Sequence, residues 1–300
     1  LSENGFTAGK EKEIISMNFM EKAKPIGVFD SGIGGLTVVK RLAATLPFEN
    51  IVYFGDTARV PYGPKSNETV IEYGLEAAGF LMHKNVKAIV VACNTVSSVA
   101  IPELRKRLNV PVIGMIEPGV AYAGRVTSGK RIGVIGTRGT VGNKAYSQAL
   151  KAAMPDAFVV EKACPLLVPL VEEGWVKHEV TKTIAREYLT ELIQQDIDTL
   201  ILGCTHYPVL LDVIRQIMGG GIALVDSGVA AADVVRSELN RIGLETNANS
   251  LGRTEFFVTD IPTTFREVAQ IFLDQEIKEI LRVDLEFLKE LKAKFVKKAE

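Results

Sequence analysis

Lys87-Ala88-Ile89-Val90-Val91-Ala92-Cys93-Asn94-Thr95 and Asp198-Thr199-Leu200-Ile201-Leu202-Gly203-Cys204-Thr205-His206 are two versions of one pattern, with Cys93 set against Cys204 at an offset of 111 residues. Each is a short apolar run that ends in a cysteine and a small polar group. Such a run, rich in β-branched residues, reads as a strand buried on both faces, the kind found in parallel sheets. Two further matches keep the same order. Ile26-Gly27-Val28-Phe29-Asp30-Ser31 aligns with Ile132-Gly133-Val134-Ile135-Gly136-Thr137 at an offset of 106, and Glu117-Pro118-Gly119-Val120-Ala121 with Asp226-Ser227-Gly228-Val229-Ala230 at 109. Apolar strands closed by glycine and a small polar residue recur in any parallel sheet, so one match alone decides little. Three in order, at nearly one offset, favour two similar α/β units.

Working outward, strand-like runs stand at 25–29, 51–54, 87–92, 110–113, 131–135, 157–160, 198–202 and 222–225. Helix-length amphipathic segments lie between them at 36–46, 67–83, 143–153, 181–195 and 209–218. This alternation predicts the α/β class with parallel sheets. The expected organisation is two parallel-sheet domains related by a pseudo-two-fold axis, with the site at their interface. The first is drawn from residues 20–117 plus 231–300 and the second from 118–230. The segment from 231 has no counterpart in the repeat; its helical stretches are expected to pack back on the first unit. Residues 1–19 read as an N-terminal extension outside the fold.

Composition narrows the function classes. Of 300 residues 47% are hydrophobic and 24% charged, ordinary for a globular protein with a sizeable core. Lys and Arg number 35 against 36 Asp and Glu, so no basic surface argues for a nucleic-acid partner. No apolar run has the roughly 20 residues needed to cross a bilayer, and no membrane partner is expected. Cys93, Cys164 and Cys204 are too few, and odd in number, for a disulfide framework. They fit a reducing compartment, hence a cytoplasmic location.

Open α/β sheets bind ligands at the carboxyl ends of their strands, so both repeat cysteines are expected at the ligand edge. A helix pattern follows each. Asn94, Thr95 and Ser97 can cap the first helix, and Pro208 suits the opening turn of the second. A helix N-terminus favours the thiolate, which predicts lowered cysteine pKa values. Two opposed thiols can invert a stereocentre: one removes a proton from one face while the other returns one to the opposite face. Cysteine suits this work, because its unperturbed pKa of about 8.5 lies near working pH.

Other readings compete. A lone cysteine after a strand is most simply a small buried hydrophobe, an account that weakens for two in matching positions. Cys164, between Ala163 and Pro165, has no repeat partner and is assigned to structure. Three Cys and three His contain no close pair at zinc spacing, and no metal is expected. A cysteine phosphatase needs arginine six residues after its nucleophile, where Val99 and Leu210 stand. A hydrolase pairing a cysteine with His206 stays open. The loop Asp30-Ser31-Gly32-Ile33-Gly34-Gly35-Leu36-Thr37 is partly like a dinucleotide fingerprint, with Asp56 near a ribose position. Thr37 stands where the third glycine belongs, however, and no phosphate-loop lysine follows. Either the loop only packs closely, or its backbone N–H groups and the Ser31 hydroxyl hold a carboxylate. Asp30 can pair with a substrate ammonium. His206 can tune Cys204 or pass protons. His83 and His178 read as surface groups, and Glu172-Glu173 before Gly174 as a solvated pair.

Taken together, several motifs resemble those of bacterial glutamate racemases. They are Gly27-Val28-Phe29-Asp30-Ser31-Gly32-Ile33-Gly34-Gly35-Leu36, Gly55-Asp56-Thr57-Ala58-Arg59-Val60-Pro61-Tyr62-Gly63, Ala92-Cys93-Asn94-Thr95, Ala163-Cys164-Pro165 and Leu202-Gly203-Cys204-Thr205-His206-Tyr207-Pro208. Their order and spacing match from about residue 25 to 230. The resemblance implies interconversion of L- and D-glutamate without a cofactor, supplying D-glutamate for peptidoglycan. It implies Cys93 and Cys204 as the proton-transfer pair, the first serving D-glutamate and the second L-glutamate. Asp30, Glu172 and His206 are implied as auxiliaries. Substrate contacts carry over to Asp30, Ser31, Tyr62, Gly63, Asn94, Thr95, Thr205 and His206. A homodimer is implied. Two alternatives are an aspartate or other acid racemase of the same superfamily, and a binding module that kept the cleft without catalysis.

Overall fold

The computed structural model describes residues 20–263, 265–273 and 276–297; the expected extension at 1–19 lies outside them. Its strands are β1 (Ile26–Asp30), β2 (Ile51–Gly55), β3 (Ala88–Val91), β4 (Val112–Ile113), β5 (Arg131–Gly136), β6 (Phe158–Ala163), β7 (Thr199–Gly203), β8 (Ala223–Asp226), β9 (Thr254–Val258) and β10 (Leu281–Arg282). Two sheets result, ordered β10-β9-β2-β1-β3-β4 and β6-β5-β7-β8. Every pairing among the described residues is parallel.

The repeat is visible in this order. Reading β5 to β8 as copies of β1 to β4, both sheets run second, first, third, fourth strand. The register agrees residue by residue: Ile26 faces Ala88 across one sheet, and its match Ile132 faces Thr199 across the other. β1, β2, β3 and β7 are buried along their whole length, which is why they read as unbroken apolar runs.

The intervening helices are α1 (Leu36–Thr45), α2 (Asn67–His83), α3 (Asn94–Ser97), α4 (Ile101–Arg107), α5 (Ile116–Val126), α6 (Arg138–Gly142), α7 (Ala145–Ala153), α8 (Leu167–Glu172), α9 (Glu179–Ile193), α10 (Leu211–Met218), α11 (Ser227–Arg241), α12 (Phe265–Leu273) and α13 (Leu285–Phe295). The expected boundaries at 117/118 and 230/231 fall inside α5 and α11, equivalent helices that pack on each other. The chain therefore crosses between the units through a packed helix pair. One apolar cluster joins the two sides, with Val28 and Leu36 from the first unit and Leu200, Leu202 and Val213 from the second.

The segment beyond 231 carries two strands as well as helices. β9 adds to the first sheet beside β2, from Ile51 against Thr254 to Gly55 against Val258, and β10 adds beside β9. Phe257 of β9 is buried against Phe80 at a ring separation of 5.2 Å. Burying one such side chain contributes about 1.5–3 kcal/mol. α13 lies across α2 at Gly79, where a Cβ would come within 2.8 Å of the Lys292 backbone. Behind the sheet, the Lys87 ammonium is buried 2.5 Å from Glu49. Lys87 also donates to the carbonyls of Lys22 and Leu244, and Glu49 accepts the Thr246 N–H at 2.8 Å.

Candidate active site

The carboxyl ends of β1 and β3 face those of β5 and β7 across a cavity of about 460 Å³. β1 ends at Asp30, and the chain turns through Ser31–Gly35 into α1. The Tyr53 hydroxyl pins that turn by donating to the Gly32 carbonyl at 2.6 Å. Thr37 then stitches it to the other unit: its hydroxyl lies 2.9 Å from the Gly34 carbonyl and 3.0 Å from that of Thr205. Gly34 must lack a side chain, because a Cβ there would sit 2.4 Å from both His206 Nδ1 and Thr205 Oγ1. A reciprocal stitch comes from the second unit. Thr137 caps α6, and its hydroxyl is 2.9 Å from that of Thr95.

Cys93 stands two residues past β3 and Cys204 one residue past β7. Both are buried, yet both line the cavity. Ser31, Tyr62, Gly63, Asn94 and Thr95 join Cys93 from the first unit, and Glu172, Thr205 and His206 join Cys204 from the second. Asp30 is not on the wall. It is 1% exposed, accepts the Gly32 N–H at 3.1 Å and has the Thr205 hydroxyl 3.5 Å away. It lies one layer behind the wall. Burial raises its carboxyl above the usual range, opposed by the charge of His206 and the N–H groups of Gly32, Gly35 and Ser31.

The expectation of lowered thiol pKa fails at Cys93. Burial, then the charge of Asp30, push that thiol up to about 12, although it lies 3.5 Å from the Ser31 hydroxyl. The helix that follows explains the difference. α3 has four residues and Cys93 itself is its N-cap, so little helix dipole opposes desolvation. Asn94, Thr95 and Ser97 lie inside α3 rather than capping it. Ser97 instead donates to the Val91 carbonyl at 2.9 Å and accepts the Met115 N–H. Pro208 does occupy the opening turn of the 3₁₀ segment Tyr207–Leu210.

Cys204 has a different neighbour. His206 Nδ1 is 3.9 Å from its sulfur, and His206 Nε2 is 2.9 Å from Glu172. Burial works against the imidazolium, but hydrogen bonds to Cys204 and Glu172, with their charges, raise His206 to about 10. The imidazole thus lies between the Glu172 carboxyl and the Cys204 sulfur, and both favour its charged form. Glu172 is not a merely solvated residue, whereas its neighbour Glu173 is exposed. Tyr62 is fixed from behind: its hydroxyl bonds Asp56, which also takes Arg59 at 2.6 Å and the Thr259 hydroxyl at 2.9 Å. Asp56 is therefore a buried support for the wall. Cys164 is buried away from the cavity, and its carbonyl accepts the Tyr207 hydroxyl at 2.9 Å.

Sequence reasoning missed Thr137, Arg138, Pro165, Val168 and Pro169, which also line the cavity. A clue to Thr137 was present, since the repeat sets it against Ser31. The apolar wall of α8 had none, because its residues read as ordinary core.

The family profile described as Asp/Glu/Hydantoin racemase matches residues 26–235. The chain belongs to the Asp/Glu/hydantoin racemase family. The glutamate racemase of Geobacter metallireducens is 48% identical over 267 residues, covering 89% of this chain and 99% of that protein. Among solved structures, glutamate racemase isoform RacE1 of Bacillus anthracis superposes with a TM-score of 0.85 at 38% identity, covering 88% of this chain and 98% of the other. That of Francisella tularensis, in complex with D-glutamate, superposes with a TM-score of 0.82 at 39% identity, covering 89% and 99%. The racemase profile spans both cysteines and both α/β units, and β9, β10, α12 and α13 lie beyond it.

Proposed function

We infer that this protein is a glutamate racemase that interconverts L- and D-glutamate by proton transfer between Cys93 and Cys204, without a cofactor. The observation that carries this reading is that equivalent strands of two repeated units bring one thiol each to a single cavity. In the L-to-D direction, Cys204, beside the His206 cation, acts as thiolate and takes the α-proton. The Cα–H bond breaks and its electron pair passes into the α-carboxylate. Cys93, held as a thiol by burial, gives its proton to the opposite face. The D enantiomer leaves with the sulfur charges exchanged, and the D-to-L direction runs the same steps backwards. Ser31, Thr95, Thr205 and backbone N–H groups are fixed donors for the charge that develops. Asp30 acts through its charge on Cys93 rather than by touching substrate.

The same reading includes residues 20–117 with 231–300 and residues 118–230 as the two domains, a cytoplasmic homodimer, and supply of D-glutamate to peptidoglycan synthesis. No helix among the described residues is long and apolar enough to cross a membrane. The test is to incubate the protein with L-glutamate in deuterated water with no added cofactor, following optical rotation and label at Cα. Loss of rotation with one deuterium gained per inversion is expected. No exchange, or faster exchange with aspartate, defeats the assignment.

A further inference from the structure

Asn94, the residue after Cys93, is 2% exposed and lines the cavity. Its two amide ends differ. Oδ1 accepts the Tyr146 hydroxyl at 2.7 Å, while Nδ2 is buried and has no hydrogen-bond partner among the described residues. A buried amide donor without a partner is costly, and in a cavity wall it points to a ligand acceptor. Tyr146 comes from α7 of the second unit and is completely buried. Its ring is wedged between two glycines: a Cβ on Gly203 would lie 3.1 Å from it, and one on Gly119 3.3 Å. Gly203 immediately precedes Cys204. One aromatic side chain thus packs beneath the second cysteine and reaches the residue after the first. Burial raises the hydroxyl above its ordinary range, with Ser227 within hydrogen-bonding reach, so it remains a donor across working pH.

We propose that Tyr146 is a positioning residue: by donating to Asn94 Oδ1 it turns the amide NH₂ into the cleft, where that group donates to a carboxylate oxygen of the substrate. The carboxylate comes from the glutamate reading above; the orientation comes from the two ends of the amide. Tyr146 touches no substrate. Without its hydroxyl, Asn94 is free to present either end, and the carbonyl end repels a carboxylate.

The test compares Tyr146→Phe, Asn94→Ala and the double variant in both reaction directions. Phe keeps the ring against Gly119 and Gly203. Asn94→Ala loses the hydrogen bond to the charged carboxylate outright, which predicts a KM about 10-fold higher or more; Tyr146→Phe loses only the fixed orientation of the amide and predicts a smaller rise, about 2- to 10-fold. With contact made equally in ground and transition states, kcat should change by less than about threefold. The double variant should match Asn94→Ala alone. Unchanged KM, a fall confined to kcat, or effects that multiply overturn the proposal. Asn94→Asp provides a second readout, since it still accepts from Tyr146 but offers no donor. It should bind glutamate worse than Asn94→Ala, and wild-type binding overturns the proposal. Wild-type exchange of glutamate in deuterated water is the control. If it proceeds normally while Tyr146→Phe has wild-type KM, only the positioning role is lost; if it fails, the glutamate reading falls and takes this role with it.

Discussion

Replacing Glu172 by Gln should move the alkaline limb of the pH–rate profile to lower pH. Glu172 Oε1 lies 2.9 Å from His206 Nε2, and glutamine can keep that hydrogen bond while losing the charge. His206 is raised to about 10 against the burial that opposes it, through both Cys204 and Glu172, so Glu172 supplies part of the effect. An opposite charge at such range shifts a pKa by about 1–3 units. The Glu172 side chain is 38% exposed, and solvent screening puts its share in the lower half of that range. Removing the carboxylate disfavours the imidazolium, so the His206 pKa falls. The alkaline limb should drop by about 1–2 pH units. The assay is kcat for L-glutamate against pH, measured by α-deuterium incorporation. The substrate amine is common to both proteins, so a limb that it sets would not move. A limb that stays in place, or rises, refutes the role given to the Glu172–His206–Cys204 chain.

Gly34→Ala drives a methyl group to 2.4 Å from His206 Nδ1 and Thr205 Oγ1. It should cost about 1–3 kcal/mol of stability by denaturant unfolding, with kcat/KM falling more than stability alone explains. Lys87→Met leaves the Glu49 carboxylate buried without its cation. Chemical denaturation should give a loss of about 3–5 kcal/mol, with much of it restored when Glu49 is also made apolar. Cys164→Ala removes a buried sulfur that is not on the cavity wall. Racemisation should stay within about twofold, at a stability loss of about 1 kcal/mol.

The buried strands were legible because parallel-sheet strands covered on both faces carry an unmistakable apolar run. The doubling was legible because both copies kept the glycine and small residues that the strand ends need. β9 escaped notice. Thr254-Glu255-Phe256-Phe257-Val258 opens on two polar residues, with Glu255 exposed, so its apolar run is only three residues long, and it has no copy in the repeat. β10 is two exposed residues placed only by pairing with β9. Eight of the nine substrate or auxiliary positions around the two cysteines reach the cavity wall; Asp30 does not, since its loop folds back over it. The Cys93 thiol was misjudged for a reason of magnitude. A helix terminus offers about 0.3–2 kcal/mol, at most about 1.5 pH units, whereas burial with the charge of Asp30 lifts this thiol from 9.0 to about 12. Tyr146 was unreadable for the opposite reason: a tyrosine on the apolar face of a helix looks like core until its hydroxyl is seen to end on Asn94.

The most direct measurement takes Cys93→Ser and Cys204→Ser separately and follows α-hydrogen exchange from each enantiomer in deuterated water. With one thiol on each face, both variants should lose racemisation. Cys93→Ser should keep residual exchange only from L-glutamate, and Cys204→Ser only from D-glutamate. Equal, mild losses from both enantiomers in both variants would contradict the opposed thiol pair.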